Sequence, residues 1–251
     1  MATARMKRTV LPRKRPGDAA GLPFETKALR DNLAAFLKTP LLERGKRRVQ
    51  PPQTIGSCKW GIYAFFDYDD EPIYVGQTNE SLGARIGRHL TNQRSDAVAM
   101  AVLDPFEVCA IQVWPMPAWQ STTPKSDSGA FATTKRQLDA LERRVYIKLL
   151  RGSKFKAVLN EKVPPHIKVP VKVPRSFKQR IVSDAVSDLR DHPDLRIARR
   201  VRTMARLAQV ISERKVTKQL RTVLVIQAKR LLWLAERRAA SAADVSDEEA
   251  D

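Results

Sequence analysis

Apolar positions along this chain follow different rhythms in different stretches. Between Glu25 and Leu37, Leu29, Leu33, Phe36 and Leu37 recur at helical spacing, and Thr39-Pro40 ends the run, which predicts a helix. From Trp60 the pattern changes to WGIYAFFD, rich in aromatic and β-branched residues, which predicts a strand. YDDE forms a polar turn and PIYVG a second short strand ending at Gly76, so the pair reads as a β-hairpin with a loop longer than a tight turn. After Asn79, Leu82, Ile86 and Leu90 lie on one face of a helix, while Arg85 and His89, also four apart, point from a neighbouring face at one spot. Residues 106–116 alternate with apolar side chains on both sides, as in a strand buried on both faces. Residues 117–130 read as a loop. A helix is expected from about Thr134 to Leu150, with Leu138, Leu141, Val145 and Leu149 inward and Gly152 as its C-cap.

Pro164, Pro165, Pro170 and Pro174 make residues 164–174 an extended arm. From Arg175 the pattern reads as three helices: one to about Arg190, one over Asp194 to Glu213, and one over Val216 to Ala240. The last carries an apolar stripe of Leu220, Val223, Leu224, Leu231 and Leu234, which either packs on the core or joins two subunits. The organisation expected is a disordered basic arm over 1–23, a helix and connection over 24–59, a central unit over 60–163, the proline-rich arm, a basic helical region over 175–240, and a disordered acidic tail over 241–251.

Charge narrows the picture. The formal net charge is +19, with 46 Lys and Arg against 27 Asp and Glu, a field whose natural counter-surface is a polyanion. Anionic lipid is the weaker candidate, because no apolar run approaches the ~20 residues of a membrane span. Cys58 and Cys109 are too few for a disulfide scaffold or a structural zinc site. No apolar segment follows the basic N-terminus, so no secretory leader is expected and the predicted location is cytoplasmic. Phosphate-loop and dinucleotide fingerprints do not occur. His166 and His192 sit beside prolines, as structural histidines in loops or caps do. Asp67, Asp69, Asp70 and Glu71 are better explained as a hairpin turn than as a metal site.

One constellation carries chemistry. Gly61-Ile62-Tyr63 and Tyr74-Val75-Gly76 resemble the two half-motifs of the GIY-YIG nuclease superfamily. Arg85 and His89 one turn apart on the next helix, Glu142 on a later helix and Asn160 after it match further positions of that family in order and spacing. The resemblance covers about residues 60–160. A short helix ending in Thr-Pro and a proline-containing connection before the first strand resemble its type II restriction enzymes that cut a palindromic GC-rich site.

The resemblance implies an α+β fold: a small central antiparallel sheet flanked by helices, with helical N- and C-terminal extensions. It implies a catalytic set of Tyr63, Tyr74, Arg85, His89, Glu142 and Asn160. Tyr63 acts as general base or water-orienting group with help from His89, and Arg85 stabilises phosphate charge. Glu142 is the one protein ligand to a divalent ion, Mg2+ with Mn2+ as a substitute, and Asn160 positions Tyr63 or the phosphate. These roles suit phosphodiester hydrolysis, which needs an activated water and positive charge on the developing phosphorane. Where several relatives carry a Lys after the second half-motif, this chain has Gln77, leaving more of the cationic field to Arg85 and His89.

The function expected is a site-specific double-stranded DNA endonuclease, a type II restriction enzyme. It would act as a homodimer, without a membrane partner, and with its cognate DNA methyltransferase as a separate protein. Two alternatives stand beside it: a GIY-YIG nuclease of looser or structure-based specificity in repair, a mobile element or phage defence, and a non-catalytic basic DNA-binding protein. Loop 117–133 and the basic helices after Arg175 are the expected sources of base contacts.

Overall fold

The computed structural model describes residues 24–41, 53–90, 104–124 and 127–248. The basic arm and the final three residues lie outside them. Helix α1 spans Phe24–Leu37, strand β1 Gly61–Phe66, β2 Pro72–Thr78 and helix α2 Leu82–Leu90. Strand β3 follows at Ala110–Pro115, then α3 at Ser128–Gly152, β4 at Phe177–Arg180, and helices α4 (Asp184–Arg190), α5 (Pro193–Glu213) and α6 (Lys218–Glu248). The four strands form one antiparallel sheet in the order β2-β1-β3-β4, and the fold is α+β. Among the described residues no helix is long and apolar enough to cross a membrane.

The alternation of β1 sorts its side chains between two cores. Ile62, Ala64 and Phe66 point toward α3 and pack with Val75, Trp114, Leu138, Leu141 and Val145. Tyr63 and Phe65 point the other way, into a core with Leu33 and Phe36 of α1, Leu82 and Ile86 of α2, Leu207 of α5, and Leu220 and Val223 of α6. Strands β1, β2 and β3 therefore form a middle layer buried on both faces, with β4 as the exposed edge. An irregularity between Phe65 and Phe66 in the β1–β2 register makes Ile73 an extra residue on β2. Ile73 and Tyr74 consequently both meet the Tyr63 face, although they are adjacent in sequence.

Several boundaries depart from the local pattern. Residues 177–180 are a strand, not the start of a helix. FKQR has weak periodicity of its own, but β3 presents an unpaired edge, and β4 pairs with it from Ala110↔Arg180 to Val113↔Phe177. Helix α3 begins at Ser128, well before Thr134, because the Asp127 side chain caps the free Ala130 N–H at 2.8 Å. Gly152 lies inside that helix and Ser153 is the cap. Residues 105–107 form a short 3-10 turn, so the third strand starts only at Ala110. Helix α6 continues to Glu248, beyond Ala240.

The β1–β2 turn holds the fold together. Asp67 Oδ1 accepts the Asp69 and Glu71 N–H groups and shapes the turn. Its Oδ2 accepts Arg200 Nη2 at 3.1 Å and lies 3.4 Å from Arg230 Nη2. Asp69 pairs with Arg196, and Glu71 accepts Ser153 Oγ at 2.6 Å and the Lys154 N–H at 2.9 Å. Glu107 pairs with Arg199 and Arg200. The turn carboxylates are thus not a metal site; they receive arginines of α5 and α6. Burial raises the Asp67 carboxyl above its ordinary range despite Arg230 and Arg200. Burial also pushes Asp69 up, but the Arg196 hydrogen bond and the fields of Arg196, Arg200 and Arg237 outweigh it and hold that group low.

Removing one partner of such a buried pair strands the other charge. Asp67→Ala is expected to cost about 3–5 kcal/mol in urea unfolding. Asp70→Asn, on the exposed tip of the same turn, is expected to stay within about 0.5 kcal/mol. An equal cost at both positions would refute the role given to the Asp67 network.

Candidate active site

The site forms on the sheet face that carries α2. Tyr63 and Gly76 are direct cross-strand partners, and Tyr74 sits two pairs along on the same face, opposite Phe65. The Tyr63 ring therefore crosses over Gly76, the last residue of the second half-motif. A Cβ at Gly76 would lie 2.5 Å from Tyr63 Oη and 2.7 Å from Tyr74 Cε1, so only glycine leaves room for both rings. Gly61 has a similar reason: a Cβ there would lie 2.9 Å from the Trp114 carbonyl oxygen.

Helix α2 packs through Leu82, Ile86 and Leu90, and this orientation turns Arg85 and His89 toward the two tyrosines. Tyr63 Oη and His89 Nε2 are 2.8 Å apart, and Arg85 Nε donates to Tyr63 Oη at a long 3.4 Å. Ring centroids of His89 lie 5.4 Å from Tyr63 and 5.1 Å from Tyr74. Tyr63 is wholly buried and His89 nearly so, whereas Tyr74 and Arg85 keep exposed surface. Burial alone would lower the Arg85 pKa; the partial charges of Tyr63 and Tyr74 and the Tyr63 hydrogen bond outweigh it and raise it, so the guanidinium stays charged.

Glu142 lies on α3 and feels the charge of Arg85. Among the described residues no hydrogen bond or ion pair holds its carboxylate. Burial pushes its pKa up to about 7; Lys135 and Arg85 pull it down and Asp139 pushes it further up. Asp139 accepts from Lys135 Nζ at 3.0 Å and from Gln77 Nε2 at 2.6 Å. Lys135, Asp139 and Glu142 lie at positions i, i+4 and i+7 on one stripe of α3, and Gln77 ties that stripe to β2. Asp139 is not among the residues singled out by sequence, although its three-residue spacing from Glu142 on one helix face is a usable signal. Arg143, the other basic neighbour of Glu142, instead donates to the Pro164 carbonyl and tethers the proline-rich arm.

Asn160 binds the backbone of β2. Its Oδ1 accepts the Val75 N–H at 2.9 Å and its Nδ2 donates to the Val75 carbonyl at 2.7 Å. Leu159 N–H donates to the Ile73 carbonyl just before it. Asn160 thus closes the free edge of β2 between Tyr74 and Gly76 and holds the strand. Of the six residues singled out by sequence, four form one contact cluster, Glu142 couples to it through the field of Arg85, and Asn160 supports it from behind. Among the described residues no group of three His, Cys, Asp or Glu side chains could hold a metal ion.

Comparison with known proteins matches residues 59–118 to the model of the GIY-YIG catalytic domain. This segment runs from β1 through β3 and contains Tyr63, Tyr74, Arg85 and His89; Glu142 and Asn160 lie beyond it. No curated protein and no solved structure matches the chain.

Two consequences are measurable. Gly76→Ala is expected to displace the Tyr63 ring from His89 and cost about 1–3 kcal/mol, read by thermal unfolding, as overpacking does. The raised Glu142 pKa means the folded chain binds that proton more tightly than the unfolded one. Stability should therefore fall as pH rises from the ordinary value of 4.5 toward about 7, and the cost persists above that. Glu142→Gln should match wild type near pH 4 and exceed it by roughly 1–3 kcal/mol at pH 8 in metal-free denaturation. A pH-independent difference would rule out a strained carboxylate.

Proposed function

We propose that this chain is a double-stranded DNA endonuclease that hydrolyses phosphodiester bonds at a defined sequence, as a type II restriction enzyme does. The chain carries a GIY-YIG nuclease domain; the observation supporting turnover is the Tyr63–His89 hydrogen bond beside Arg85. Arg85 is always a donor, so the Tyr63 oxygen accepts from it and the phenolic hydrogen is left to point at His89 Nε2. His89 is then the acceptor of the Tyr63 proton. Arg85 offsets the phenolate charge that results. The two Nη groups of Arg85 remain for phosphate oxygens, which a planar guanidinium meets in pairs. A phenolate so prepared takes a proton from the attacking water.

Glu142 is the residue that would hold a divalent cation. Its largely buried carboxylate, unheld by any described side chain, fits a hard ion that keeps most of its own water. Such an ion, Mg2+ in this reading, supplies positive charge to the phosphate and the leaving oxygen. Lys135 adds a second cation beside Glu142, with its charge partly taken by Asp139. Asn160 keeps Tyr74 and Gly76 in register by fastening β2, and acts on the reaction through position alone.

A palindromic target calls for two such sites related by a twofold axis, and thus for a homodimer. A host that makes an enzyme of this kind also needs a methyltransferase to protect its own DNA. Sequence recognition falls to groups outside the catalytic cluster, because contacts to phosphate carry no base information.

The test is digestion of a large, fully sequenced duplex DNA with and without Mg2+, comparing wild type with Tyr63→Phe and Glu142→Ala. Discrete fragments from wild type alone, with kcat reduced at least ~100-fold in both variants, are expected. A smear lost in both variants would assign looser specificity. Binding without cleavage would overturn the enzyme reading.

A further inference from the structure

We infer that the outward face of α6 is a self-association surface, on which α6 of a second copy of this chain lies antiparallel. Core-facing positions of the helix are Leu220, Val223, Gln227, Arg230 and Leu234, all buried. The opposite side presents Val225, Leu232 and Ala239 at seven-residue intervals, with Ala228 and Ala235 between them. Val225 and Leu232 are 55% and 59% exposed. A lone exposed leucine needs no explanation. Here the apolar and small positions repeat with the spacing of a helix–helix seam, and alanines let two backbones approach closely.

Charge decides the occupant and its direction. Lys229 and Glu236 flank the seam on one edge, one heptad apart, and both are exposed. When two copies pair antiparallel about Leu232, Val225 of each faces Ala239 of the other, and Lys229 of each faces Glu236 of the other. A parallel pair would set Lys229 against Lys229. Duplex DNA fits less well, because the exposed Glu236 would meet phosphate. The helix is about 46 Å long, enough for a seam of three heptads. This surface rests on the homodimer of the proposed function but is measured without DNA, so failure of one does not imply failure of the other.

The test is sedimentation velocity of the full-length chain over a concentration series, without DNA. Wild type should show a reversible monomer–dimer equilibrium, and Leu232→Glu should be monomeric with its helical circular dichroism unchanged. Each of Lys229→Glu and Glu236→Lys turns two symmetric attractions into repulsions and should weaken the dimer about tenfold. The combined variant should return to within about threefold of wild type, since it only exchanges the charges. A monomeric wild type, a dimer indifferent to Leu232→Glu, or no recovery in the combined variant would overturn the assignment. Weakened DNA binding by Lys229→Glu at unchanged mass would overturn it too, giving the face to nucleic acid.

Discussion

The carboxylates of the β1–β2 turn facing the arginines of α5 and α6 are the constraint from which the rest of the structure follows. Asp67, Asp69 and Glu71 lie in a five-residue turn, and their partners come from helices more than a hundred residues later and from the end of α3. In the buried interior each charge is costly alone and tolerable only in this arrangement. The turn therefore has one acceptable position relative to three helices. That turn joins the strands that carry Tyr63 and Tyr74, so the same network aims the phenols.

The candidate site inherits this rigidity in layers. Tyr63 lies over a glycine with no spare space, against His89 on a helix fixed by Leu82, Ile86 and Leu90. Asn160 fastens the open edge of β2 behind it. Glu142 arrives from the other layer, on a helix whose far end is tied to Glu71 through Ser153 and Lys154. The phenol–imidazole cluster and the Glu142 carboxylate thus come from elements on opposite faces of the sheet. Charge follows the same division: the cations around the candidate site are few and local, while several arginines of the basic C-terminal region are used inside the protein. Arg196, Arg200 and Arg230 are buried and paired, so the net charge of +19 overstates what that region offers to a polyanion.

Sequence by itself determined the hairpin, the α2 helix, the inward face of α3 and the residues that compose the cluster. These are local facts: alternation fixes which side of a strand a residue takes, and a four-residue spacing puts Arg85 and His89 on one face whatever surrounds the helix. The tertiary structure decided everything that depends on pairing over distance. FKQR is a strand because β3 has an edge to fill, and Asn160 is a strand clamp because its amide matches the Val75 peptide. The apolar stripe of α6, open in the sequence between core and partner, packs on the core through Leu220, Val223, Leu224 and Leu234, while Val225 and Leu232, outside that stripe, face outward. The turn acids and the helix arginines were visible as charges, but not as each other's partners. The physical reason is range: backbone sterics and side-chain periodicity act within a few residues, whereas a buried ion pair or a strand edge is satisfied by whichever group the completed fold brings within about 3 Å.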